Sequence, residues 1–434
     1  VSFRRGRPGE AQRCFELAAD RSATPAERHE RLRLASGAAA ARNFGAAAVE
    51  LLERAAGATD DPDAAAEALA MAAMYRHRCQ GIMGRPVLGA ETAALLERAR
   101  ACGGSGPRAA AAIAMAEGWA PGFLSRSRAQ TEEALALAGR AGDPLLHNIV
   151  LDQLIAVEMA QRDLGGALAA VRARLALLAP LPVDARSGFE HYDALHMGCR
   201  LFLAVGDLAA ARRHADGIAA LPFFREERHV GLGRRVEVEV MAGDFAAVVA
   251  GGELIERDWA RAGRPVAGNL AVGAYCVATA HAMLGDGPGH RRWVALTEEL
   301  LGTPVSGLGN DCGWVPALDA LVVLHTDGPA AAVQRLTSDP DGPEWANPNS
   351  MLWLPWYAAT WAEAAALAGH PDTAERIDRA TRAARANPIA LTVLDRSAAV
   401  AAGQLHRLPE MAARFAAAGC AYQHARTLRL ATPP

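Results

Sequence analysis

The chain has 434 residues, with 45 basic against 48 acidic side chains and a formal net charge of −3, so it has no general attraction for a nucleic-acid backbone or an anionic membrane. All 45 basic residues are arginine and 101 residues are alanine. The absence of lysine excludes a phosphate-loop ATPase, Schiff-base chemistry and kinase-type phosphate gripping for this chain acting alone.

Taken in order, Val1 to Pro8 has the charge of a leader's first segment, but Glu10, Arg13 and Glu16 stand where an apolar stretch would run, so no export signal is read. Gly6 to Ala19 reads as a turn and a second helix without its first helix. This partial repeat over residues 1–20 predicts that the natural polypeptide begins before Val1. From there the chain repeats a pattern of apolar helix, Gly-Asp-like turn and Ala-rich helix. The key turn residues are Asn43, Arg85, Ser125, Asp163, Asp207, Asp244, Asp286, Asp327, His370 and Gln404, spaced 34 to 44 residues apart. Gly206, Gly243, Gly285, Gly369 and Gly403 immediately precede five of them, which predicts a left-handed helix exit, and the following Asp can cap the next helix. Four residues past the key position, Ala47, Ala167, Ala211, Ala331 and Ala374 predict close approach of paired helices. Between Ala46 and Ala55 the apolar residues recur every three to four positions while Glu50, Glu53 and Arg54 take the other side.

Loops rich in Gly, Pro, Asn and Asp are predicted near 101–107, 180–188, 302–316 and 338–350, between repeats rather than between domains. Arg235 to Val240 alternates like a strand but lies where the repeat demands a helix, so a helix is predicted. Pro265 to Gly285 is the longest uncharged run; Asn269, Thr279 and His281 interrupt it, and it reads as a buried helix rather than a membrane span. The seven cysteines, Cys14, Cys79, Cys102, Cys199, Cys276, Cys312 and Cys420, include no pair at zinc or redox spacing, which fits a reduced cytoplasm.

The unit Leu195, Gly198-Cys199, Phe202, Gly206-Asp207-Leu208, Ala211 and Ala215 resembles a degenerate tetratricopeptide repeat. It departs from that pattern in the length of most repeats and in lacking the first Trp and later Pro. The last unit, Met411 to Leu428, resembles the late helical-repeat region of actinobacterial MalT-like LuxR-type transcriptional regulators with a signal-transducing ATPase; similar arrays accompany nucleotide-cyclase domains. The resemblance implies an all-α fold, a right-handed solenoid of about ten hairpins forming a single array over 1–434. It implies a noncatalytic sensor or scaffold that binds a small-molecule effector or a protein segment, with ATPase and DNA-binding modules on the same or a partner polypeptide. No cofactor, direct nucleic-acid contact or membrane contact is expected. A stand-alone adaptor that binds a protein segment is the alternative, and helical arrays can also host active sites built from distant carboxylates.

In the tetratricopeptide-like hairpin that the resemblance implies, counting back from the turns gives a concave stripe of Asp152, Asp193, His196, Arg200, Glu237, Tyr275, Trp356 and Glu363, either a surface for a peptide or small polar ligand or an ordinary solvated groove. Asp193, His196 and Arg200 share one face, either as a structural ion pair or as a polar ligand site. Trp353, Trp356, Tyr357 and Trp361 also share a face, either as helix packing or as an aromatic effector pocket. His196 and Cys199 are one turn apart, but His191 points about 140° away, so no metal site is read. The adjacent carboxylates of Glu132-Glu133, Glu226-Glu227 and Glu298-Glu299 diverge and read as solvated faces.

Overall fold

The structure, a computed structural model, describes residues 2–84, 87–119, 128–225, 228–264, 268–308 and 312–432. These contain 23 α-helices and no β-strand. Helix α1 (Pro8–Asp20) lies against α2 (Pro25–Ala41), which pairs with α3 (Gly45–Ala56). The pairs α4 (Pro62–Arg78) with α5 (Gly89–Ala101), α6 (Pro107–Gly118) with α7 (Arg128–Ala141), and α8 (Pro144–Ala160) with α9 (Leu164–Leu178) follow. Next come α10 (Gly188–Ala204) with α11 (Leu208–Ala220), α12 (Arg228–Ala242) with α13 (Phe245–Arg261), α14 (Ala271–Met283) with α15 (Gly287–Leu301), and α16 (Trp314–Thr326) with α17 (Gly328–Arg335). A single-turn α18 (Pro348–Met351) precedes α19 (Leu354–Ala368) with α20 (Thr373–Ala384), α21 (Pro388–Ala401) with α22 (Leu408–Ala417), and the final α23 (Ala421–Ala431).

Eight of the ten predicted turn residues fall between two helices; Arg85, Ser125 and the pair Glu226-Glu227 lie outside the described residues. The local chemistry is the expected one. Gly206, Gly243, Gly285, Gly369 and Gly403 all have positive φ, where a Cβ would be strained. Asp163, Asp207, Asp244 and Asp286 each accept the backbone N–H three residues on, capping α9, α11, α13 and α15. Asp207→Ala should therefore cost about 1 kcal/mol, read as a lower urea midpoint; an unchanged midpoint would mean that this cap carries no stability.

A second signal opens several first helices. Thr24-Pro25, Asp61-Pro62, Asp143-Pro144 and Asn387-Pro388 place a capping side chain before a proline at the first helical position. The proline sacrifices an N–H that has no intrahelical partner, and its fixed φ suits the helix.

The packing residues were only partly anticipated. Ala167 and Ala211 are fully buried between paired helices, whereas Ala47 and Ala331 are half-buried and Ala374 is exposed. At the last of these, Pro371-Asp372 lengthens the turn, so α20 starts at Thr373 and buries Ala380 and Ala384 instead. Helix α16 starts at Trp314, inside the loop expected over 302–316. Arg235 to Val240 is helical within α12. The uncharged segment forms α14, buried on nearly every side; a Cβ on its Gly273 would lie 3.2 Å from the Gly233 backbone of α12. No helix among the described residues is long and apolar enough to cross a membrane.

Buried apolar residues form two large clusters, one running from Phe3 to Val230 and the other from Ile155 to Cys420. The chain also meets itself at long range. Helix α2 touches α10, and the Phe3 ring packs 5.3 Å from Phe223. The Trp356 indole donates to the Leu203 carbonyl over 3.2 Å, and Asn387 Nδ2 donates to the Ala204 carbonyl over 2.9 Å, joining residues 153 and 183 positions apart. Successive helix pairs thus wind back on earlier ones around a partly open space.

Candidate functional site

That space is a cavity of about 750 Å³. Its wall draws residues from Asn43, just after α2, to Asn349 in α18, so widely separated parts of the chain share it. Four of the eight residues in the expected stripe line it: Asp152 from α8 and Asp193, His196 and Arg200 from α10. They follow from the 3.6-residue period, because offsets of zero, three and seven return to one face of α10.

The other four do not line the cavity, and the open concave stripe is corrected accordingly. Glu237 is fully buried behind it, paired with Arg234. Tyr275 is buried with its hydroxyl on Asp319, its ring 5.2 Å from cavity-lining Trp314. Trp356 ties α19 to α10 through the Leu203 carbonyl. Glu363 bridges Arg396 and Arg426, each at 2.6 Å, near the end of the chain. The aromatic effector pocket is likewise corrected: Trp353, Trp356, Tyr357 and Trp361 are all buried in the packing around α19. Tyr357 stacks near Trp345, and Arg376 lies 4.6 Å over the Trp361 ring. On a helix buried on every side, a shared aromatic face does not distinguish core from surface.

One wall of the cavity is an ion-pair network. Arg78, at the end of α4, donates to Asp152 at 2.8 Å, to both oxygens of Glu190 at 2.7 and 2.9 Å, and to Asp193 at 2.5 Å. Arg174 of α9 joins Asp152 and donates to Asp193 at 2.7 Å, while Asn148 donates to Glu190 at 2.6 Å. Burial works against the Asp193 carboxylate, yet Arg78 and Arg174 outweigh it and hold the group well below the usual carboxylate range. Burial, with the neighbouring Asp193 charge added, pushes Asp152 up. Arg78 is driven further toward the charged form: burial opposes it, but three carboxylates prevail.

Two turns along α10 the environment changes. Arg200 makes no hydrogen bond or ion pair among the described residues, and its Nε is buried without a partner. Burial and the nearby Arg234 disfavour its charge, with Glu237 giving partial relief. Arg234 of α12 pairs with Glu237 and donates to the Asn269 carbonyl at 2.5 Å. His196 also has a buried nitrogen, Nδ1, without a partner. Burial, reinforced by Arg234 and Arg200, lowers its pKa far enough to keep the imidazole neutral. So Asp193 is in a structural ion pair, but its partners are Arg78 and Arg174 rather than Arg200, which has no ion-pair partner among the described residues.

Sequence inspection missed Arg78 and Arg234. Arg234 was accessible, since it lies one turn before Glu237 on the same face. Arg78 was not, because an arginine at a helix C-terminus reads as a solvated partner of the helix dipole. Trp314, Asn269 and Asn349 complete the wall from loops and helix ends without periodicity. Among the described residues no group of three or more His, Cys, Asp and Glu could hold a metal ion. Burial also pushes the Cys199 thiol up to about 12, away from the thiolate a metal needs.

No known protein family matches the chain in sequence, and neither does any curated protein.

Proposed function

We propose that this chain is the noncatalytic sensor portion of a signalling protein, a right-handed TPR-like solenoid of about ten hairpins whose small-molecule effector occupies the central cavity. As in the MalT-like LuxR-type regulators its repeats resemble, the array would work in the cytoplasm with ATPase and DNA-binding modules on the same or a partner polypeptide, touching neither DNA nor membrane itself. The observation that carries this reading is the cavity's span. Its wall draws on residues from Asn43 to Asn349, so an occupant would bridge segments far apart in the chain and add to the long-range contacts that already join them. Its volume lies within the range of small-molecule sites. A ligand binding only the wound conformation shifts the array toward it, and that shift is the signal.

The test is a thermal-denaturation screen of the purified chain against small metabolites and, separately, random peptides. A ligand at one hundred times its Kd should stabilise the fold by about 2.7 kcal/mol. Stabilisation by a small molecule that Trp314→Ala weakens supports the sensor. Binding of peptides alone would replace it with the adaptor.

A further inference from the structure

We infer that the cavity is built for a ligand bearing a single carboxylate, gripped by Arg200, with an apolar body against Trp314, Ile155 and Met159. This rests on the sensor reading and specifies its ligand class. The argument begins with charge. Among the described residues Arg200 and Arg234 share one carboxylate, Glu237, leaving a local charge of +1, and Glu237 is committed to Arg234. On the other wall Arg78 and Arg174 face Asp152, Glu190 and Asp193, leaving −1. The two regions are seven residues apart on α10, about 10 Å along its axis.

A guanidinium cannot shed its proton to escape desolvation. Arg200 therefore keeps a half-buried charge without an ion-pair partner among the described residues, a state that a carboxylate would relieve through two parallel N–H···O bonds. A phosphate dianion fits less well, since its second charge would find no matching cation and would approach the negative wall. On that wall both Asp152 oxygens and both Glu190 oxygens already accept from arginine, and Asp193 Oδ2 accepts from Arg78 and Arg174, which leaves Asp193 Oδ1 as the carboxylate oxygen of this network with no donor among the described residues. His196, held neutral one turn from Arg200, adds no charge to this part of the wall. Ile155, Met159 and Trp314 supply the apolar surface.

The experiment uses the whole chain with octanoate and hydrocinnamate as probes, their amides as uncharged counterparts, and octyl phosphate as the dianionic one. Binding is read by calorimetry and thermal midpoint. The acids should raise the midpoint and the amides should not. Arg200→Gln should weaken acid binding about tenfold or more, since hydrogen bonds to charged groups are worth that much. Arg200→Lys should fall between, because it keeps the charge and loses the fork. Unliganded Arg200→Gln should be at least as stable as the parent, because a cation without an ion-pair partner among the described residues has been removed, so lost binding would not reflect misfolding. Equal binding of acid and amide would overturn the carboxylate inference and leave the sensor reading standing. Unimpaired acid binding by Arg200→Gln would overturn it too, as would tighter binding of octyl phosphate. Failure of every acid would also overturn it, while the metabolite screen decides the sensor reading on its own.

Discussion

Replacing Arg78 with Met should destabilise the protein by about 3–5 kcal/mol, the usual effect of removing one member of a buried ionic network. Arg78 is 2% exposed and is the shared partner of Asp152, Glu190 and Asp193. With it gone, Arg174 alone faces three carboxylates, so at least two buried negative charges lack compensation. Urea denaturation near neutral pH measures the loss. Its pH dependence gives a second readout. In the parent, Asp193 is depressed: burial opposes ionisation, but Arg78 and Arg174 overcome it. A depressed carboxylate contributes stability that is present above its unfolded value, about 3.9, and is lost only as pH falls through the folded one. Without Arg78 the carboxylates titrate higher, so protonation removes the uncompensated charge and the variant's deficit should narrow between about pH 8 and about pH 5. A deficit below about 1 kcal/mol would be that of an exposed pair and would contradict the buried network.

Gly206→Ala should cost about 2–4 kcal/mol, against about 1 kcal/mol for Gly285→Ala. Both glycines have positive φ, +74° and +78°, so both variants carry the strain of a left-handed residue with a Cβ. They differ in what that Cβ meets. At Gly285 nothing lies within 4 Å, whereas at Gly206 the added carbon would stand 2.4 Å from Asn387 Oδ1. Asn387 caps α21 by accepting the Ala390 N–H and also donates to the Ala204 carbonyl. Displacing it loses a helix cap, worth about 1 kcal/mol, together with a link across the winding of the chain. Because that link joins segments 183 positions apart, the variant should also lower the cooperativity of unfolding, seen as a broader circular-dichroism transition. Equal effects of the two substitutions would mean that the long-range contact carries no stability.

These residues show how unevenly the molecule can be read from its chain. Gly206 and Asp207 were legible as a turn and a cap because both preferences are local: a missing Cβ permits positive φ, and a short acidic side chain reaches its own helix's N–H groups. The register at His370 was misread for an equally local reason, since Pro371-Asp372 extends the turn and moves the start of α20 to Thr373, later than the ladder expects. Asp193, His196 and Arg200 could be placed on one face, yet nothing in their spacing says which is paired. That answer depends on Arg78 and Arg174, which are 115 and 19 positions from Asp193.

The sequence by itself determined the helical character of the chain, most of its punctuating turns, and the polar face of α10. Each depends on interactions within about one helical turn. Only the tertiary structure decided that this face lines a pocket shared with distant helices, that the aromatic face of α19 is packing, and that Arg200 has no ion-pair partner among the described residues. The physical reason is accumulation. The winding of a helical array sums small packing angles over many hairpins, each set by how closely Ala and Gly let two helices approach. Contacts across 150 to 190 residues, such as Trp356 to Leu203, therefore have no signature in any short stretch of the chain.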